Sequence, residues 1–228
     1  AVAREVGAAA LEDILAAEGP SATPAGIEAL LVNLKRATTM IDLAGMRGVA
    51  ATERRGHAQP WVRGTSAARV ARVHLGISAG PLSDAQLGEI LGLRLPADRP
   101  NPVSARITGG LRGDDSPGVT RVLIPSSRLA SQRFFFARLL GLAVDLPPEE
   151  PVLPVSGATT AGQKFGRAFA QEFLCPWAEL DAFTEERGTD EEAITSAAER
   201  WGVSEMLVTS TLVNRGKLDR GRLARFEM

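Results

Sequence analysis

Two apolar stretches between Ser131 and Pro176 constrain the fold more than any other part of the chain. The first runs Gln132-Arg133-Phe134-Phe135-Phe136-Ala137-Arg138-Leu139-Leu140-Gly141-Leu142. Phe134, Ala137, Leu140 and Val144 fall near helical spacing, and Phe135, Arg138, Leu139 and Leu142 occupy the adjoining side. A helix apolar over most of its circumference is buried on most sides. In the second stretch Phe165, Phe169 and Phe173 repeat every fourth residue beside the small residues Gly166 and Ala170, a pattern that predicts close approach of a neighbouring helix. Pro176 stops this helix. The segment between the two is rich in Pro, Gly and Thr (Pro147-Pro148-Glu149-Glu150-Pro151, then Gly157-Ala158-Thr159-Thr160) and reads as a loop.

The flanking sequence supplies more helices and a short β region. Val2, Val6, Ala10, Leu11, Ile14 and Leu15 mark a helix that ends at Gly19-Pro20. Thr23 fits an N-cap with Pro24 at the first helical position. Ile27, Leu30, Leu31, Leu34, Ala37 and Ile41 then form a stripe that predicts a helix to near Gly45. Residues 46–60 are polar and read as a linker, which places a boundary there. Trp61 to Leu75 predicts a helix with Gly76 at its C′ position, and Ser83-Asp84-Ala85-Gln86 is a capping box opening a helix through Leu91. Residues 103–107 and 119–124 read as strands, with turns at Gly109-Gly110 and Gly113-Asp114-Asp115, giving a small antiparallel sheet of about three strands. Beyond Pro176 come a helix to Phe183, a capping box at Thr189-Asp190-Glu191-Glu192 opening a helix through Arg200, and a helix capped by Ser204.

The central pair resembles the core of the ImmA/IrrE family of zinc peptidases. That family has R-F-x-x-A-H-E-x-G-H followed by E-x-x-A-N-x-F-A-x-x-L-L-M-P. This chain reads Arg133-Phe134-Phe135-Phe136-Ala137-Arg138-Leu139-Leu140-Gly141-Leu142, then Gln163-Lys164-Phe165-Gly166-Arg167-Ala168-Phe169-Ala170-Gln171-Glu172-Phe173-Leu174-Cys175-Pro176. The resemblance implies an α+β fold: a helical N-terminal segment and linker over 1–60, then a zincin-like core over 61–228 with a small antiparallel sheet and a C-terminal helix pair. It puts Arg138 and Leu142 where the two histidine ligands would stand, Leu139 at the catalytic glutamate and Gln163 at the third ligand. It also implies a former substrate cleft holding Arg133, Arg138, Leu142, Gln163 and Arg167, beside a sheet edge that pairs with substrate backbone in the family. Such an edge can still recruit a peptide by strand addition.

The residues themselves argue against the family's chemistry. A mononuclear zinc site needs three protein ligands and an open position. His57 and His74 lie outside the helix pair, and Arg138 is a permanent cation that repels a metal. No metal, no cofactor and no catalytic residue is therefore expected. The cleft is expected to stay partly open, with Leu142 partly exposed, because Arg138 needs water or an anion nearby. The bland alternative pairs Arg138 with Glu172 or Asp145. Cys175, the single cysteine, reads as an inert buried thiol and suits a reducing cytoplasm. A net charge of −1 supplies no global pull toward nucleic acid or membrane. No apolar run approaches the roughly 20 residues that span a bilayer.

The expected function is that of a non-catalytic pseudo-metallopeptidase. It would act as a sensor or regulatory module of a larger cytoplasmic protein and take a protein segment or small anionic ligand in the former cleft. The chain begins Ala-Val-Ala-Arg, without Met or signal peptide, which suggests a fragment with a regulator domain upstream. One alternative is a DNA-associated transcriptional regulator using the last two helices, whose spacing suits a helix-turn-helix. The second of these opens with Glu205-Met206-Leu207, which repels phosphate, so DNA binding by this chain alone is not expected. The other alternative is a peptidase with an unorthodox site.

Overall fold

Four antiparallel strands hold the two apolar helices against the rest of the chain. A computed structural model describes residues 5–46, 48–49, 58–77, 79–97, 106–113 and 118–226. His57, the first residues of the strand expected over 103–107 and the Asp114-Asp115 turn lie outside the described residues.

In chain order the helices α1 (Ala8–Glu18) and α2 (Pro24–Arg36) lead into β1 (Met40–Asp42). Then come α3 (Pro60–His74), α4 (Asp84–Leu91), β2 (Ile107–Arg112), β3 (Val119–Leu123), α5 (Leu129–Asp145), β4 (Val152–Ser156) and α6 (Ala161–Leu174). The chain finishes with α7 (Trp177–Arg187), α8 (Glu191–Trp201) and α9 (Glu205–Asn214). The fold is α+β, as the pattern of elements predicts. Local chemistry starts the helices where expected. Thr23 Oγ1 accepts from the Gly26 amide at 3.1 Å, Ser83 and Gln86 form the reciprocal capping box, and Ser204 Oγ accepts from the Leu207 amide at 3.2 Å. At α8 the cap is Asp190 rather than Thr189, its carboxylate accepting from the Ala193 amide at 2.9 Å. The second helix stops at Arg36 instead of near Gly45. Ile41 is buried as the middle residue of β1, between exposed Met40 and Asp42, so its place in the helical stripe is coincidental.

The sheet order is β1-β3-β2-β4. Ile41 lies opposite Thr120, Gly110 opposite Val122, and Thr108 opposite Val155. Two strands escaped the sequence reading. All five residues of β4 are buried, so it lacks the alternation that marks a half-exposed strand. It also carries Pro154, which is tolerated because β4 is an edge and needs no amide there. Gly109-Gly110 is strand interior, not a turn. A Cβ at Gly109 would strike the Leu153 carbonyl oxygen, and one at Gly110 would lie 2.6 Å from Thr120 Cγ2. The glycines are what allow β2 to sit this close to both neighbours.

Helices cover both faces of the sheet. Ile107, Leu123 and Val152 pack with Val6, Ala10 and Ile14, together with Ile27, Leu31 and Leu34 from α2. Val122, Leu153 and Val155 belong to the cluster that holds Phe136, Leu139 and Leu140 of α5. Because β1 pairs with β3, the stretches 1–60 and 61–228 share one sheet.

The tightest helix contacts depend on glycines in the neighbours of α6. A Cβ on Gly64 of α3 would come 2.5 Å from the Phe165 carbonyl oxygen, and one on Gly141 of α5 would come 2.8 Å from the Phe169 ring. Gly166, the small residue singled out by the Phe repeat, would meet nothing nearer than 3.7 Å. The repeat itself stacks, with ring centroids 6.4 Å apart for Phe165–Phe169 and 5.4 Å for Phe169–Phe173. Forcing a methyl into the α3–α6 contact has the cost of overpacking, about 1–3 kcal/mol. Gly64→Ala is therefore expected to lower unfolding stability by that amount. Gly157→Ala, with open space around it, should change stability by less than about 0.5 kcal/mol. Denaturant unfolding of both variants beside the wild type checks this; equal effects would contradict the packing account.

Candidate functional site

Two of the five residues expected in one cleft meet at its centre, and they meet each other. Arg138 on α5 and Gln163 on α6 are 8% and 0% exposed. Arg138 Nη2 donates to Gln163 Oε1 and, at 2.7 Å, to the Ser156 carbonyl oxygen. Gln163 Oε1 also accepts from the Ser156 amide at 3.0 Å. Its Nε2 donates to Asp13 Oδ2 and to the Pro154 carbonyl oxygen, each at 2.7 Å. All four hydrogen-bonding capacities of the carboxamide are thus filled. Asp13 comes from α1, is 4% exposed, and accepts a second bond from the Thr160 hydroxyl. Thr160 is in turn the N-cap of α6.

This arrangement closes the cleft. The outward polar groups of β4 at Pro154 and Ser156 are bonded to side chains, so an extended peptide has nothing to pair with there. Leu142 is wholly buried, which corrects the expectation of a partly exposed residue in an open cleft. Arg138 finds its partners in an amide and a carbonyl, with Asp13 one residue further off. It pairs with neither Glu172, which holds Arg69 at 2.7 Å, nor Asp145, which holds Arg63. Burial, and then the nearby Arg167, push the Arg138 guanidinium down to about 10, with Asp13 acting in the opposite direction.

Arg133 is elsewhere. Its guanidinium bonds Asp84, the Leu82 carbonyl oxygen at 2.6 Å and the Trp201 carbonyl oxygen at 3.2 Å, clamping the start of α4 to the end of α8. Its role is structural, and the expectation that it lines the cleft is corrected. Asp13 is the participant that the sequence reading missed. Its signal was a carboxylate between Ala10 and Ile14 on the buried side of α1.

Arg167, within electrostatic reach of Arg138 and Asp13, also borders a different feature. It lines a groove of about 1120 Å³ whose walls are α3, α6 and α9 and whose end is the first turn of α5. Phe134, Ala168, Cys175 and Leu207 contribute apolar surface, and Trp61, Val62 and Met206 at its margin are 49%, 52% and 55% exposed. Arg69, Lys164, Arg167 and Arg215 bring positive charge, against the single carboxylate of Glu172. Neither Lys164 nor Arg167 forms a hydrogen bond or ion pair with another described side chain. Burial lowers the Arg167 pKa, and Asp13 counters that. Cys175 is 1% exposed, and burial raises its thiol pKa far above the ordinary range.

The last two helices pack as supports. Leu207, Val208, Thr209, Thr211, Leu212 and Val213 of α9 are buried. Glu205 accepts from the Thr195 hydroxyl at 2.8 Å, and the downstream cations Lys217 and Arg225 are paired with Asp181 and Glu191. Among the described residues, no three His, Cys, Asp or Glu side chains are grouped to hold a metal ion. No described helix is long and apolar enough to cross a membrane. No protein-family model, curated protein or solved structure matches this chain.

A sealed cleft makes a definite stability statement. Truncating a packed leucine costs about 2–5 kcal/mol, so Leu142→Ala should lose more than about 2 kcal/mol. Removing a partner from buried polar groups costs about 1–3 kcal/mol, which sets the expectation for Asp13→Ala. Leu15→Ala, at a 45% exposed position on the same helix as Asp13, should stay within about 0.5 kcal/mol. Urea denaturation measures all three, and a loss below about 1 kcal/mol for Leu142→Ala would mean that the cleft is open in solution.

Proposed function

We propose that this chain is a non-catalytic binding module, a pseudo-peptidase in which an ImmA/IrrE-like scaffold has exchanged its chemistry for structure. It serves as a regulatory part of a larger cytoplasmic protein and captures a protein segment or an apolar anion. The observation that carries this reading is the groove between α3, α6 and α9, with its exposed Trp61, Val62 and Met206 and its unpaired Lys164 and Arg167. Exposed apolar area bordered by polar groups marks interaction surfaces, and free cations at its edge select for negative charge. The sealed Arg138–Gln163 pair supports the same reading from the other side. These residues stand at two of the resembling family's metal-ligand positions and are committed to each other and to β4. The ligand site thus shifts from the expected cleft to the adjoining groove, which keeps Arg167.

The apolar anion 1-anilinonaphthalene-8-sulfonate is a direct probe. It is expected to bind the folded protein at one saturable site. Charge-assisted contacts contribute about 1.5–3 kcal/mol, so reversing both Lys164 and Arg167 to Glu should weaken it at least about tenfold. Absence of saturable binding, or unchanged affinity in the double variant, would remove the groove as the binding site.

A further inference from the structure

We infer that the groove's occupant is an acidic amphipathic helix of a partner protein, a step that rests on the binding reading above. Shape is the first argument. The groove exceeds the roughly 300–1,000 Å³ of ordinary small-molecule pockets, at about 1120 Å³. Its apolar residues continue past the enclosed part onto the margin, where Trp61, Val62 and Met206 remain about half exposed. A small ligand held inside would leave those side chains in water. A longer rod laid between α3 and α9 would cover them.

Mode of recognition is the second. An extended segment needs a free sheet edge, but no described strand lines the groove, and the outward groups of β4 at Pro154 and Ser156 are taken up by Arg138 and Gln163. A groove walled by three helices instead suits the helix-in-groove mode, in which apolar side chains at i, i+3 or i+4, and i+7 drop between the walls.

Charge is the third, and it decides the partner's sign. The whole chain carries −1, yet four cations and one carboxylate line the groove. Glu172 is already satisfied by Arg69 at 2.7 Å and by the Trp177 amide at 3.2 Å. That leaves Lys164 and Arg167, one turn apart in the first half of α6, and Arg215 beside Trp177 past the far end of that helix, so positive charge borders the groove towards both ends. A partner helix with an apolar stripe flanked by Asp and Glu meets this charge. Arg215 stacks over Trp177 with its guanidinium carbon 5.1 Å from the ring centroid, which holds its charge in place.

The test is selection from a random-sequence peptide display library, run in parallel on the wild-type protein and on the Lys164→Glu, Arg167→Glu double variant. Peptides enriched on the wild type are expected to carry apolar residues at i, i+3 or i+4, and i+7 with Asp or Glu between them. They should become helical on binding, displace 1-anilinonaphthalene-8-sulfonate, and bind the double variant at least about tenfold more weakly. Enrichment of basic or extended peptides would overturn the inference. So would displacement of the dye by oleate or a duplex oligonucleotide but by no selected peptide. In either case a dye that still binds the groove leaves the binding reading standing, whereas a dye that fails to bind takes both down.

Discussion

The Gln163 carboxamide accepts from Arg138 and Ser156 and donates to Asp13 and Pro154, so one amide ties α5, β4, α6 and α1 together. Burying an arginine costs several kcal/mol unless its donors are matched. Here Nη2 is matched by Gln163 and Ser156, while the buried Nε has no partner in the described structure. Asp13 supplies the negative charge, and it can do so only because Val6, Ala10 and Ile14 seat α1 on the sheet. The N-terminal helices thus belong to the architecture of the centre. Removing them would uncover a cation, two carbonyl groups and an apolar sheet face together.

Much of this was legible in the residues. The apolar circumference of α5, the Phe repeat of α6 and the caps at Thr23, Ser83 and Ser204 follow from periodicity and local hydrogen bonding, which tertiary context did not override. Placing Arg133 beside Arg138 failed on a point that helix geometry decides. Five residues at about 100° each put the two side chains roughly 140° apart around the axis, so they serve opposite sides of α5. Arg138 and Leu142, four apart, do share a side, and both are buried.

β4 was hidden for a different reason. A strand buried on every residue has no period-two pattern, and Pro154 reads as a breaker unless its edge position is known. The Gly109-Gly110 pair likewise reads as a turn until the neighbours that need its missing side chains are placed. The groove was not legible at all, since Trp61, Lys164, Arg167 and Met206 come from three separate helices. Of these residues, the family resemblance singles out Arg167 alone, and for the cleft rather than for this surface. One scaffold thus separates a sealed centre from an open groove. The buried Arg138–Gln163 centre ties the elements together, while the groove bounded by α3, α6 and α9 stays open.

Native-state hydrogen exchange at the Ser156 amide tests that separation most directly, because this group donates to Gln163 at 3.0 Å on the outer edge of β4. A sealed centre opens only with the whole molecule, so the free energy of exchange at Ser156 should equal the global unfolding free energy and match that of Leu140 in the middle of α5. Exchange at Ser156 through a local opening of only a few kcal/mol, with Leu140 still fully protected, would contradict the account and show an accessible cleft beneath α1.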